Sequence, residues 1–137
     1  MKRNAFFLLA ISTVALVAGG CVGTIDNHHV AGNPLVKDKI VRVYERPVLQ
    51  CWDATKEVLN ANGTMLHDDR LQSTLTARVD TRTVIVKVEE IDKKMTRVTT
   101  QVRTKWGGSD LDLGGEMDKQ IALRLATGQT PVGAPGK

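Results

Sequence analysis

Hydrophobic and polar residues alternate along the middle of the chain, after Thr64. Apolar residues recur there at every second position in Leu75–Val79 and Val84–Val88, and Val98 and Val102 keep the same period in a third stretch. Period two indicates half-buried β-strands, because successive side chains of a strand point to opposite faces of the sheet. The polar breaks at residues 80–82 and 91–94 have hairpin length. We therefore expect antiparallel strands, with Met65 and Leu66 adding a short one before them.

The segment before these strands has the apolar spacing of a helix. Its apolar positions recur at intervals of three and four, namely at Val48, Cys51, Trp52, Thr55, Val58 and Leu59. Pro47 suits a first helical turn, where its missing N–H is not needed, and Gly63 is expected to end the helix. Residues Ile40 to Tyr44, just upstream, fit either a short strand or a segment that packs the entry to this helix.

A second helix is expected near the end of the chain. Its apolar residues step by four, at Leu113, Met117, Ile121 and Leu125. Ser109, Asp110 or Asp112 could cap it. The order of helix, three or four antiparallel strands and helix predicts an α+β fold in two layers. Both helices would cover one face of the sheet, and the other face would remain in contact with solvent.

The start of the chain has the composition of a secretory signal. Lys2 and Arg3 precede an apolar run from Ala5 to Ala18, and two glycines then lead to Cys21. The run is shorter than the roughly 20 apolar residues that a transmembrane helix needs. The stretch before Cys21 resembles the lipobox of bacterial lipoproteins, although Ala18 stands where leucine is most common. Ordinary secretion with a free Cys21 is the alternative.

These features divide the chain into four parts. We expect a lipoprotein signal peptide at 1–20, an acylated N-terminus with a flexible tether at 21–39, an α+β domain at 40–126 and a disordered tail at 127–137. The resemblance to lipoproteins implies acyl chains on Cys21, and several acyl chains hold a protein on a membrane without a spanning helix. The residue after the cysteine is Val22 rather than aspartate, which by the same resemblance points to the periplasmic side of the outer membrane rather than the inner membrane.

Charge and aromatic content argue against nucleic acid as a partner. The whole chain has a formal net charge of +4, but Lys2 and Arg3 leave with the signal, so the mature chain is nearly neutral. Nucleic-acid-binding domains combine clustered cations with interleaved aromatic residues. Only Tyr44, Trp52 and Trp106 remain as aromatic residues after cleavage. No cofactor is expected.

Few residues are candidates for a catalytic or metal-binding role. Cys51 lies on the apolar face of the first predicted helix, where a small buried side chain is the expected role. His67 begins the sequence His-Asp-Asp-Arg, which is expected to form a turn. His28 and His29 with Asp26 lack the separated spacing that converges ligands on a metal ion, so we predict no metal site. A periplasmic hydrolase using Cys51 or His67 remains the alternative function.

Four cations form the candidate binding surface. Alternation places them on the predicted open face of the sheet, at Arg78, Lys87, Arg97 and Arg103. Clustered positive charge accelerates association with anionic partners in a salt-dependent way, so an acidic envelope protein or an anionic glycan is the expected contact. Solubility alone is the other explanation for these charges. We expect charge reversal at Arg97 and Arg103 to leave folding intact.

A family resemblance accompanies these features. The Cys21 lipobox, the Trp52-x-Ala54 helix, the valine-rich strand pair and the strand Thr96–Gly107 leading into a last helix resemble the small bacterial lipoproteins of the DUF3568 family. The resemblance covers roughly Val48 to Leu125 and implies no activity. Together with the signal, it predicts a lipid-anchored module of the cell envelope that binds or supports another component and has no catalytic role.

Overall fold

The computed structural model describes residues 20–25, 29–32 and 37–128. The predicted signal peptide, apart from Gly20, and most of the predicted tail lie outside these residues. Near the start, strands β1 (Gly20–Gly23) and β2 (His29–Gly32) pair antiparallel. Apart from Gly20, these two strands lie in the segment predicted as a tether, and the aperiodic sequence there did not predict them.

A five-stranded antiparallel sheet forms one layer of the domain. Its strands are β3 (Lys39–Tyr44), β4 (Thr64–Asp69), β5 (Thr74–Val79), β6 (Arg82–Asp92) and β7 (Met95–Arg103). They lie in the order β3-β7-β6-β5-β4. The prediction of an α+β fold is confirmed, but the predicted strand number and element order were wrong. A full strand, β3, precedes the first helix and pairs with β7 at the edge of the sheet.

The second layer consists of two helices in the described part of the chain, α1 (Val48–Asn62) and α2 (Leu111–Thr127). Pro47 precedes α1 and Gly63 follows it, as the sequence predicts. A Cβ at Gly63 would lie 2.1 Å from the carbonyl oxygen of Arg78, so a side chain there would collide with the backbone of β5. Asp110 caps α2, because its carboxylate accepts a hydrogen bond from the Leu113 N–H at 3.0 Å. This settles which of the three candidate caps is used.

The hydrophobic core fills the space between the helices and one face of the sheet. The strand residues predicted for this face are buried, and so are the apolar stripes of both helices, except that Val48 and Leu113 are only partly buried. The largest fully buried apolar residues are Leu59, Leu75, Val84, Val86, Val88, Val98, Val102, Met117 and Ile121. Burial of this apolar area is the main force that holds the two layers together.

The two hairpins of the sheet centre use their polar residues as turns require. Asp80 adopts a positive φ of 53°, which aspartate tolerates better than most residues. At the β6–β7 turn, the Asp92 carboxylate accepts hydrogen bonds from the N–H groups of Lys94 and Met95, at 2.7 and 2.9 Å. Both polar breaks predicted from the sequence are therefore hairpin turns.

Candidate binding surface

The face of the sheet that points away from the helices is called the second face below. Its central residues are buried: Gln101 is 0% exposed and Ile85 is 3% exposed. Thr74, Thr76 and Thr99 on the same face are also buried. The sequence-based expectation of a face open to solvent was therefore wrong for the centre of the sheet. Alternation within a strand shows which residues share a face, but it does not show what packs against that face.

The N-terminal segment makes polar contacts with the second face. The N–H of Ile25 donates to Gln101 Oε1 at 3.1 Å, and Thr24 beside it is buried. Asp38, just before β3, accepts a hydrogen bond from Gln101 Nε2 at 2.8 Å and forms an ion pair with Arg103. We call Asp38, Gln101 and Arg103 the Asp38 cluster. The cluster joins the chain before the domain to the end of β7, the neighbour of the edge strand β3.

Arg103 is a correction to the predicted basic surface. It lies on the predicted face of the sheet, but it is only 7% exposed. Its guanidinium contacts Asp38 and also donates to the carbonyl of Gly107 at 3.2 Å. A buried arginine that is already paired with a carboxylate is not available to a partner. Arg103 therefore has a structural role.

The other three predicted cations do not form one patch. Lys87 is half-buried and pairs with Glu89 at 3.0 Å, while Arg78 and Arg97 are exposed. Arg78 lies opposite Thr83 and Arg97 lies opposite Glu89, six residues further along β6. With a rise of about 3.3 Å per residue, the two arginines are separated by roughly 20 Å along the sheet. The structure therefore presents two separate cationic positions, and one of them, Arg97, lies opposite an acidic residue.

Cys51 and His67, the candidates for a hydrolase, lie apart. Cys51 is fully buried in the core between α1 and the sheet. Burial raises the pKa of its thiol, although hydrogen bonding to Thr96 and the charge of Arg46 oppose the rise in part. The thiol is therefore protonated at neutral pH, which opposes a nucleophilic role. His67 pairs with Thr76 in the sheet, and that row of residues belongs to the second face.

The sequence His67-Asp68-Asp69-Arg70 ends β4 and begins a turn. The Asp69 carboxylate accepts hydrogen bonds from the N–H groups of Leu71 and Gln72, at 2.9 and 3.0 Å. These residues line a cleft of about 570 Å³ together with Thr74 and Thr76. Asp68 pairs with a lysine of α1 and Asp69 shapes the turn, so both carboxylates are engaged.

Histidine, cysteine, aspartate and glutamate are also the side chains that could bind a metal ion. In the described part of the chain, no group of three or more His, Cys, Asp or Glu residues could hold a metal ion. The structure does not test the prediction that Asp26, His28 and His29 form no metal site, because Asp26 and His28 lie outside the described residues.

A polar cluster that the sequence did not predict joins β3 to α2. Asp118 is buried on α2, and its carboxylate accepts hydrogen bonds from Arg42 Nε at 2.9 Å and from the Tyr44 hydroxyl at 3.0 Å. Asp118 directly follows Met117, which belongs to the apolar stripe of the helix. The sequence signal for this cluster is an acidic residue beside the apolar stripe of α2. Its partners lie on β3, which the sequence predicts either as a strand or as a segment that packs the entry to α1.

Tyr44 supplies a pH-dependent test of this cluster. Burial, the hydrogen bond to Asp118 and the Asp118 charge raise the pKa of the Tyr44 hydroxyl above its usual value of about 10. The stabilisation linked to this shift is present below about pH 10 and is lost as the pH rises through the folded-state pKa. Because Tyr44 is the only tyrosine, its phenolate absorbance reports the titration directly.

We expect the absorbance of the folded protein to titrate well above pH 10, and Asp118→Asn to lower the midpoint because it removes the carboxylate charge. Unfolded protein provides the reference titration. A folded-state midpoint at about 10, equal to that of free tyrosine, would contradict the cluster.

The sequence was compared with protein-family models and with curated proteins. The chain matches no protein-family model and no curated protein. Across residues 20–25, 29–32 and 37–128, none of the helices has the length and apolar character needed to cross a membrane.

Proposed function

We propose that this protein is a lipoprotein of the bacterial cell envelope, anchored through acyl chains on Cys21 and acting as a non-catalytic binding or structural module. One observation carries the proposal. A charged start, an apolar run too short to span a membrane and two glycines lead directly to Cys21. Val22 after the cysteine favours the outer membrane, with the domain facing the periplasm. The resemblance to the DUF3568 family remains a prediction.

The positions of Cys51 and His67 support a non-catalytic role over the hydrolase alternative. A thiol nucleophile needs a lowered pKa and a base within hydrogen-bond reach. Cys51 has a raised pKa and is buried on the helix side of the sheet, whereas His67 belongs to the second face. Neither residue therefore assists the other.

The partner that we propose is an anionic envelope protein or an anionic glycan. Arg78 and Arg97 are the exposed cations of the second face, and Lys87 is a weaker contributor because Glu89 partly neutralises it. Exposed charges of this kind act mainly on the rate and salt dependence of association. The contact surface is therefore the rim of the second face rather than its buried centre.

Crosslinking in intact cells tests this contact. Arg78→Glu combined with Arg97→Glu is expected to abolish capture of envelope partners at low salt, because it reverses both exposed charges. The matched control is Lys93→Glu with Lys119→Glu, which changes the net charge equally at exposed positions on a turn and on α2. The control should capture the same partners as the wild type. Equal capture by the two double variants would show that the second face is not the binding surface.

A further inference from the structure

The loop between β7 and α2 holds a tryptophan outside the core. We call residues Thr104–Ser109 the Trp106 loop. Trp106 is 88% exposed, and the Lys105 Nζ lies 5.8 Å from the centroid of its ring. Hydrogen bonds within the loop join the Thr104 N–H to Gly108 O at 2.9 Å and the Gly107 N–H to Thr104 O at 3.0 Å. The turn therefore presents a large apolar ring to its surroundings.

The Trp106 loop lies beside the N-terminal segment. Arg103 donates to the carbonyl of Gly107 in the loop and pairs with Asp38, while the N–H of Ile25 binds Gln101, two residues before Arg103. Cys21 precedes Ile25 by only four residues, and four extended residues span at most about 14 Å. The Asp38 cluster therefore holds the loop close to the point where Ile25, four residues after Cys21, meets the sheet.

We propose that the Trp106 loop is a membrane-contact site. The indole of Trp106 lies in the headgroup region of the bilayer that holds the acyl chains of Cys21, and Lys105 contacts anionic headgroups. This inference rests on the proposed lipid anchor. Tryptophan favours the membrane interface because its ring is apolar and its N–H is polar, and a nearby lysine adds electrostatic attraction to anionic lipid. A second contact would fix the orientation of a domain that an acyl anchor alone leaves free to rotate.

The opposite end of the sheet offers a competing apolar residue. Leu71 is 98% exposed on the turn between β4 and β5. That turn contacts the middle of β6, where the Ser73 carbonyl accepts a hydrogen bond from the Val88 N–H. The strand β4 is separated by two strands from β7, which holds Gln101 and Arg103, so Leu71 lies far from the Trp106 loop. It provides a matched control position.

Fluorescence quenching in vesicles tests the membrane contact. The full-length lipidated protein is reconstituted into phospholipid vesicles that contain brominated acyl chains, which quench tryptophan only at short range. We expect wild-type fluorescence to be quenched and Trp106→Phe to lose the quenchable component, because the remaining Trp52 is buried in the core. Leu71→Trp in the Trp106→Phe background moves the exposed indole to the opposite end, and its fluorescence should be quenched by aqueous iodide but not by the brominated lipid.

Flotation of the same vesicles separates the two proposals. Protein that floats with the vesicles, but whose Trp106 is not quenched by brominated lipid, would overturn the membrane-contact site and leave the lipid anchor standing. Equal brominated-lipid quenching of the indoles at positions 71 and 106 would also overturn the assigned orientation. Protein that does not float would contradict the anchor at Cys21 and the inference that depends on it.

Discussion

Trp52→Ala is expected to lower the free energy of unfolding by about 3–5 kcal/mol, the usual cost of truncating a large buried aromatic side chain. Trp52 is 4% exposed and belongs to the hydrophobic core between α1 and the sheet. The guanidinium of Arg70 lies over its ring, 5.4 Å from the centroid, at the edge of that core. Truncation would leave a cavity that rigid strands cannot close. Urea denaturation, followed by circular dichroism, measures the loss.

Trp106→Ala is the matched control for this substitution. The same atoms are removed from a side chain that is exposed, so the expected change in unfolding free energy is only about 0.5 kcal/mol in the absence of a membrane. An unchanged denaturation midpoint for Trp52→Ala would show that its indole is not part of the core. Equal losses for the two variants would contradict the assignment of Trp106 to an exposed loop.

Arg103→Glu is the second substitution with a large expected effect, a loss of about 3–5 kcal/mol in unfolding free energy. Removing one partner of a buried ion pair leaves the other charge without compensation. The new carboxylate would also face Asp38 directly, and the carbonyl of Gly107 would lose its guanidinium donor. Thermal and urea denaturation both measure this effect.

Arg97→Glu is the control, because it makes the same change on the same strand and the same face at an exposed position. It should alter the unfolding free energy by only about 0.5 kcal/mol. The sequence alone predicts equal tolerance at both positions, whereas the structure predicts a large difference. Two equally stable variants would therefore contradict the Asp38 cluster.

Local patterns predicted the elements whose periodicity is regular. The alternating valines of β6 and β7 and the apolar stripes of α1 and α2 identified those elements and the buried face of the sheet. The pattern of β3 is weaker, since Val41 and Val43 are exposed while Arg42 lies on the side that faces α2. An edge strand buries too little of either face to produce a clear alternation. The sequence of β3 therefore does not distinguish a strand from a segment that packs the entry to α1.

The burial of the second face could not be predicted from the sequence, because its contacts join residues that are distant in sequence. Asp38 meets Gln101 and Arg103 across 63 and 65 residues. In the sequence, Arg103 occupies the same kind of alternating position as Arg97, and nothing near it distinguishes a buried cation from an exposed one. The prediction of an exposed basic patch failed for this reason. For the same reason, the sequence does not predict that Asp118 binds Arg42 and Tyr44, which lie 76 and 74 residues away.

Metabolic labelling with a fatty-acid analogue tests the lipid anchor at Cys21. Wild-type protein is expected to incorporate the label and to run as a processed form. Cys21→Ser should carry no label and accumulate as the uncleaved precursor, because no other residue in the lipobox-like stretch can form the thioether. Cys51→Ser provides the control, since it removes the other cysteine and should label like the wild type. Equal label in Cys21→Ser and the wild type, or no label in either, would contradict the anchor.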